Sequence, residues 1–188
     1  MGGRIILASR SPQRRAILEQ LGVAFEVRPA DVAELDAGMP VAVASENALR
    51  KALAAAEGEE GEAVLGVDTL VATDLEIWGK PPHPEAARET LRRLSGRTHL
   101  VVSGIALVRD GEVQAASAST EVTFRALEPA TIDWYVATGE WEGRAGGYAI
   151  QGRGAALVTG IRGDFFNVVG LPVTTLLDLW PQLLTGPD

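Results

Sequence analysis

Ser9, Ser11, Arg14 and Arg15 stand close together in the stretch LASRSPQRR, residues 7–15. An apolar run precedes the stretch, and Ser-Pro is a typical helix start, so it sits where a strand turns into a helix. Free backbone N–H groups and the helix dipole favour an anion at such a junction. Two adjacent cations there are unfavourable unless something anionic answers them. The hydroxyls and forked guanidiniums would cradle a phosphate chain; the plainer alternative is a Ser N-cap followed by surface arginines. The glycines and GK[ST] ending of a Walker A loop are absent. Asp68 ends the apolar run VLGVD, and a buried carboxylate needs a metal, a cation or hydrogen bonds. Strand ends at a sheet edge are usual places for catalytic groups, although a turn aspartate binding local backbone also fits. Lys80 leaves a rigid turn in WGKPP, and Lys51 lies in NALRKALAA. In RAGGYAIQGRG, Gly146 and Gly147 permit close backbone approach, and Gln151 can both donate and accept at the edge of a flat heterocycle. A hairpin with glycine bulges is the alternative. With no Cys, and His83 and His99 the two histidines, the carboxylates favour a hard cation such as Mg²⁺ over zinc. No GxSxG element is present to suggest a nucleophilic triad.

The composition sets bounds on this chemistry. A chain of 188 residues with 46% hydrophobic and 22% charged residues is ordinary for one globular domain. The net charge of −8 disfavours a protein that coats DNA or an anionic membrane, yet leaves room for a local basic pocket. The N-terminal stretch lacks a signal-like apolar core and no apolar run reaches membrane-spanning length, so a cytoplasmic location is expected. Lys51 and Lys80 are the two lysines, and Asn47 and Asn167 the two asparagines. Where composition disfavours Lys and Asn, those that remain are candidates for work that Arg or Gln cannot do.

The elements that must position these groups can be read from pattern. RIILA is a strand. Ser11 then caps a helix that starts at Pro12, buries Ile17, Leu18 and Leu21, and stops at Gly22. VAFEVRP is a second strand, residues 30–40 form a loop with carboxylates, and 41–58 form a helix ending at Gly58. GEEGEA is a solvated acidic connector. Residues 63–82 form two extended segments around a polar break, and residues 83–96 a helix. Residues 98–127 form a hairpin about Asp110-Gly111. A short helix runs to Gly139, a glycine-rich segment with short strands follows, and the terminal helix is interrupted near Pro181. Helices and strands alternate with long antiparallel hairpins mixed in, which predicts a layered α/β fold on a mixed sheet.

In order, LASRSPQRRAILEQLG, ENALRKA, VLGVDTLV, GKP, AGGYAIQG and NVVGLPV resemble the Maf family of nucleoside triphosphate pyrophosphatases over essentially the whole chain. The resemblance implies one Maf-like domain over residues 1–188. Its fold would be a mixed twisted sheet flanked by helices, with two lobes around a deep cleft, of the Maf/ITPase-like kind. It implies a cytoplasmic homodimer that hydrolyses a nucleoside triphosphate to monophosphate and pyrophosphate with a divalent cation, Mg²⁺ or Mn²⁺. By the same resemblance Asp68 is the general base and, with Glu34, a metal ligand. Ser9, Ser11, Arg14, Lys51 and Lys80 are triphosphate or metal-pocket residues. The position before Glu34 is usually acidic in the family and is Ala33 here, which removes one metal contact. AGGYAIQG resembles the branch that acts on dTTP and UTP, with Thr69 and Gln151 as specificity positions. Gln13 departs from that branch, which usually carries arginine after the Ser-Pro pair.

The alternatives are a nucleotide-sensing regulator of septum formation with little catalysis, a 7-methyl-GTP pyrophosphatase, and, more weakly, a DNA-binding role. The sensor would bind nucleotide without needing Asp68 together with a cation.

Overall fold

The computed structural model describes residues 5–57, 61–74 and 76–185. Seven strands, β1 (Ile5–Leu7), β2 (Phe25–Val27), β3 (Ala63–Thr73), β4 (Glu76–Trp78), β5 (Thr98–Arg109), β6 (Glu112–Phe124) and β7 (Val158–Arg162), form one sheet. Its order is β2-β1-β3-β5-β6-β7, with β4 paired to the far end of β3. β1 runs parallel to β2 and to β3, and the other pairs are antiparallel, so the sheet is mixed as expected. Six helices accompany it: α1 (Pro12–Gln20), α2 (Pro40–Ala56), α3 (Pro84–Leu94), α4 (Pro129–Ala137), α5 (Phe165–Val169) and α6 (Val173–Leu179).

Local signals account for the helix ends. The Ser11 side chain accepts from Arg14 N, Pro12 opens α1, and Gly22 at φ 70° follows its last turn. Ile17 and Leu18 are buried, while Leu21 is half-buried at the edge of the same cluster. α2 runs to Ala56, and its expected end at Gly58 lies outside the described residues, as does residues 58–60 of the acidic connector. The β5–β6 hairpin turns at Asp110 and Gly111, both at positive φ. The terminal helix breaks before Pro181 and resumes as a 3₁₀ turn over Pro181–Leu183. The glycine-rich segment differs from expectation. It holds one strand, β7, two 3₁₀ turns and the helix α5. Asp164 starts α5 by accepting from Phe166 N at 2.7 Å, a capping signal that outweighs the surrounding glycines.

The core divides about the sheet. Ile17 and Leu18 of α1 and Leu176 of α6 pack against Ile5, Leu7, Leu65, Val67 and Ile105 on one face. α2 covers the other face, where Ala48 and Ala52 meet Ala106. Beyond Val71 a separate cluster joins Leu91 and Leu94 of α3 and Ile132 and Tyr135 of α4 to Val101, Val122, Phe124 and Tyr148. These are the two lobes, one at the β1 end of β3 and one at the β4 end, with β3, β5 and β6 shared between them.

α2 lies unusually close to the sheet. A Cβ on Gly66 would sit 2.2 Å from the Ala48 carbonyl oxygen, and one on Gly104 would sit 2.2 Å from that of Ala44. Ala44, Ala48 and Ala52, at successive i+4 positions, are fully buried beneath the helix. Helix backbone thus rests on strand backbone. Among the described residues, no helix is long and apolar enough to cross a membrane.

Two outcomes follow for stability. Gly104→Ala must push α2 off the sheet, and is expected to cost about 3 kcal/mol, lowering Tm by roughly 6–12 °C in a chain of this size; differential scanning calorimetry reads this directly. His99 is buried, donates to or accepts from Tyr148 Oη at 2.9 Å, and stacks edge-on with Phe124. Burial pushes its imidazole down to about 4. The unfolded chain therefore binds a proton there that the folded chain refuses. The stabilising contribution is complete above the ordinary value of 6.5 and is lost as pH falls towards about 4. The loss over that window is about 3 kcal/mol. Urea unfolding of the wild type and His99→Gln between pH 7 and 4 is expected to show a shallower pH dependence in the variant.

Candidate active site

β3 is the strand on which the site is built. Its edge pairs with β1 up to Leu65 and with β4 from Val71 onward. Between these partners residues 66–70 have no strand on that side, so the sheet carries a gap between its two lobes. Asp68 sits in the middle of the gap. A cleft of about 750 Å³ opens there. Ser9, Ser11, Gln13, Arg14, Glu34, Lys51, Asp68, Thr69, Lys80 and Gln151 all line it. Strand alternation sends Asp68 to the α2 face, with Gly66, and Thr69 to the opposite one.

On the α2 face the close packing of the helix determines the geometry. Asp68 pairs in register with Gly104, the position where α2 touches the sheet. Asn47 and Lys51, one turn apart on α2, therefore reach the carboxylate. Lys51 Nζ lies 2.7 Å from Asp68 Oδ1 and 2.6 Å from Glu34 Oε1. Asn47 Nδ2 donates to Asp68 Oδ2 at 3.1 Å. The same side chain accepts from Leu35 N at 2.7 Å and donates to Leu35 O at 2.9 Å, so it clamps the loop that carries Glu34. Asp68 is 8% exposed and Glu34 about half. One ammonium faces two carboxylates, leaving net negative charge on oxygen donors, and a hard divalent cation fits such a set. Among the described residues no group of three or more His, Asp or Glu side chains converges, so a cation held here would need further ligands from its substrate or from water.

On the other face the opening loop does something different. Arg14 is 8% exposed. Its Nη1 donates to Ser9 Oγ at 2.7 Å, its Nε to the Gly170 carbonyl at 2.8 Å and its Nη2 to Thr69 Oγ1 at 3.2 Å. Ser103 Oγ, cross-strand from Thr69, lies 2.8 Å from the same hydroxyl. All these partners are neutral. Burial pushes the Arg14 guanidinium below its ordinary value, and the fields of Asp68 and Glu34 partly offset this. A buried cation held only by neutral oxygens leaves its charge available to an anion in the cleft. Arg15, by contrast, is exposed and does not line the cleft. The adjacent arginines therefore divide, one inward and one to solvent, as adjacent helical positions must.

The remaining expected residues contribute from the rim. Gln13 Oε1 accepts the Ser11 hydroxyl at 3.1 Å, which leaves the amide N–H₂ as its remaining donor group. Lys80 and Gln151 are exposed cleft residues. Arg10 and Arg144 line the cleft as well, so five cations face it in a chain of net charge −8. Pattern reading marked Asn47 by its scarcity without giving it a role, and did not single out Ser103, Gly170 or Arg144. Nothing local marks Ser103 or the Gly170 carbonyl, because they act through strand register and chain reversal.

A gapped mixed sheet with a carboxylate–lysine cluster on one wall and a buried arginine on the other defines an α/β protein with a charged cleft suited to an anion. Residues 4–183 match the family of Maf-like proteins, and the chain belongs to that family. It is 48% identical over 180 residues to the dTTP/UTP pyrophosphatase of Moorella thermoacetica, covering 94% of this chain and 93% of that one. The dTTP/UTP pyrophosphatase of Gloeobacter violaceus is 47% identical over 178 residues, 94% of each chain. That of Anaeromyxobacter sp. is 48% identical over 185 residues, 95% of this chain and 89% of that one.

Asn47 joins both carboxylate-bearing segments. Asn47→Ala removes three hydrogen bonds and is expected to lower stability by about 1–3 kcal/mol. It should also raise the rate of limited proteolysis within residues 30–39, while Asn47→Asp, which keeps the acceptor for Leu35 N but sets a like charge against Asp68, should do both to a greater extent.

Proposed function

We propose that this cleft hydrolyses nucleoside triphosphates, with dTTP and UTP as preferred substrates, to the nucleoside monophosphate and pyrophosphate. The observation that carries the reading is the gap in the sheet at Asp68, where a carboxylate–lysine cluster and an uncompensated buried arginine face one space. Relatives at 45–48% identity that are named dTTP/UTP pyrophosphatases support it.

A divalent cation, Mg²⁺ or Mn²⁺, would be held by Asp68 and Glu34, and would neutralise phosphate charge and polarise a phosphorus–oxygen bond. The protein's own groups do the rest. Arg14, presented by Ser9 and Thr69, holds the triphosphate by charge-assisted hydrogen bonds. Ser11 and Lys80 complete the cradle at the two lips. Asp68 accepts a proton from water as the water oxygen bonds to the α-phosphorus. The bond from the α-phosphorus to its β-bridging oxygen breaks, and pyrophosphate leaves with the electron pair. Lys51 holds Asp68 at one oxygen, so the carboxylate keeps a fixed orientation while it takes the proton. The cationic side chains of Arg14 and Lys80 offset charge on the leaving group as it develops. No covalent intermediate is needed, since pyrophosphate leaves readily once its charge is neutralised.

Base recognition falls to the rim. The amide N–H₂ of Gln13 and the amide of Gln151 suit the carbonyl and imide edge of a pyrimidine. Thr69 contributes by orienting Arg14, since its hydroxyl is already engaged. An assembly of two copies in the cell interior completes the proposal.

Anion-exchange chromatography of the products decides which bond is cut. dTMP and pyrophosphate are expected from dTTP with Mg²⁺, and dTDP with orthophosphate would overturn the reading. Asp68→Asn retains the shape and can accept from Lys51 or from Asn47 but not from both, and it loses the base. A fall in kcat of about a hundredfold or more is expected, with the fold intact by circular dichroism.

A further inference from the structure

The mechanism above leaves two cleft cations unused, the exposed Arg10 and the half-buried Arg144. Arg144 precedes the 3₁₀ turn Ala145–Gly147 and lines the cleft on the β4 side of the gap. Its backbone is fully tied: the N–H donates to Trp141 O at 3.2 Å and its carbonyl accepts from Gly147 N at 3.0 Å. Its side chain is not. The Nε is buried without a hydrogen-bond partner, and no carboxylate lies within 4 Å of the guanidinium among the described residues. The fields of Tyr135 and Glu140 act on Arg144 and partly offset its burial, but Glu140 forms no ion pair with it and accepts from Arg153 N at 2.7 Å. A guanidinium carries five donors in a planar fork, and burying one without an acceptor is costly. This contrasts with Arg14, whose three donor nitrogens each have a protein oxygen.

The position of Arg144 is set by backbone contacts. Gly146 N donates to Gly79 O at 3.1 Å. Gly146 and Gly147, at φ 66° and 67°, lie against Val71 and Pro81 so closely that a Cβ would approach them to 2.8 and 3.0 Å. This staple sets the Arg144 loop beside the turn that carries Lys80. Two cations are thereby brought to the same lip of the cleft, and neither has a carboxylate partner there. Like charges so placed repel unless an anion of more than one charge lies between them. On the opposite lip Arg14 and Ser9 already form one anion site.

Resting on the proposed reaction, we infer that Arg144 and Lys80 form a second phosphate subsite, on the β4 side of the gap, which takes the β- and γ-phosphates and holds them as departing pyrophosphate. The outer phosphates carry most of the charge of a triphosphate, and the fork of Arg144 can grip two of their oxygens at once. The two Nη ends of the guanidinium, rather than the buried Nε, are the donors that the cleft can reach. Arg144 is in this sense a leaving-group ligand, whereas Arg14 is a fixed part of the opposite wall.

Pyrophosphate and dTMP, each with Mg²⁺, are titrated calorimetrically into wild type, Arg144→Met and Arg144→Lys, the methionine keeping an apolar stem. Pyrophosphate affinity is expected to fall on the order of tenfold to a hundredfold in Arg144→Met, with dTMP affinity within about twofold of wild type, and Arg144→Lys is expected to fall between because it keeps charge without the fork. Steady-state assays should show the loss mainly in kcat/KM for dTTP. Phenylglyoxal modification of the wild type, read peptide by peptide by mass spectrometry, gives a measurement that needs no variant: pyrophosphate should protect Arg144 and dTMP should not. Unchanged pyrophosphate affinity in a folded Arg144→Met protein, equal losses for both ligands, or no protection of Arg144 overturns the inference. If the wild type releases pyrophosphate from dTTP and any of those results is found, the subsite falls and the reaction stands. If the wild type releases no pyrophosphate, the reaction itself falls and takes the subsite with it.

Discussion

The contact of helix α2 with the strands beneath it governs the rest of this molecule. Because Gly66 and Gly104 present no side chain, the carbonyls of Ala48 and Ala44 come down to the level that a methyl group would otherwise occupy. Asp68 lies two residues from Gly66 along β3 and opposite Gly104 across the sheet. At ordinary helix-to-sheet separation, Asn47 and Lys51 would have to stretch to meet it. At this separation they arrive as short hydrogen-bonding groups, and the carboxylate can be buried because its charge is answered within 3 Å. The four small residues of the seam thus do electrostatic work through packing. Burial of alanine and glycine yields little hydrophobic free energy per residue. The larger apolar clusters around Leu18 and Leu91 anchor the lobes, and the seam sets the distance on which the charges depend.

A second constraint is topological. β1 ends at Leu7 and β4 begins at Glu76, so neither covers residues 66–70 of β3. A continuous sheet would have paired this edge and closed the cleft. Interrupting it leaves backbone and side chains of one strand accessible from both lobes, and lets alternate residues of that strand serve opposite faces. Asp68 goes to the lysine side and Thr69 to the arginine side. Adjacent residues on a strand are therefore the means by which the proposed base and the proposed phosphate grip are separated yet kept in fixed relation.

Much of this was legible in the sequence, and the parts that were not have a common cause. The helix start at Ser11-Pro12, the stop at Gly22 and the Asp110-Gly111 turn follow from local backbone preferences, and the structure contains them. Nine expected residues from the ordered motifs, and Glu34 from the loop after β2, line one cleft. Arg14 and Arg15 could not be told apart by type, since only the direction of each side chain from α1 separates the buried one from the exposed one. The α5 helix was hidden because its capping aspartate is embedded in a glycine-rich segment whose pattern reads as short strands. Gly66 and Gly104 passed for ordinary strand glycines, because their function is defined by a helix far away in sequence. Gly170 likewise acts through a carbonyl that any residue would have carried. Local chemistry is visible in a chain; contacts made by backbone atoms across long separations are not.

The pattern of satisfied and unsatisfied donors then separates scaffold from ligand site. Lys51 and Asn47 have every visible role met by protein oxygens, and their work is to hold Asp68 and the Glu34 loop whether or not anything is bound. Arg14 is intermediate: its donors are met, but by neutral atoms, so its charge remains to be matched. Lys80, Arg10 and Arg144 stand at the lips without carboxylate partners among the described residues. Moving from the seam outward, the cleft thus grades from fully paired to unpaired charge. Such a gradient favours an elongated anion whose charge increases from one end to the other. Water solvates the exposed Lys80 and Arg10, whereas the buried Arg14 and half-buried Arg144 carry a desolvation cost that an anion in the cleft would offset.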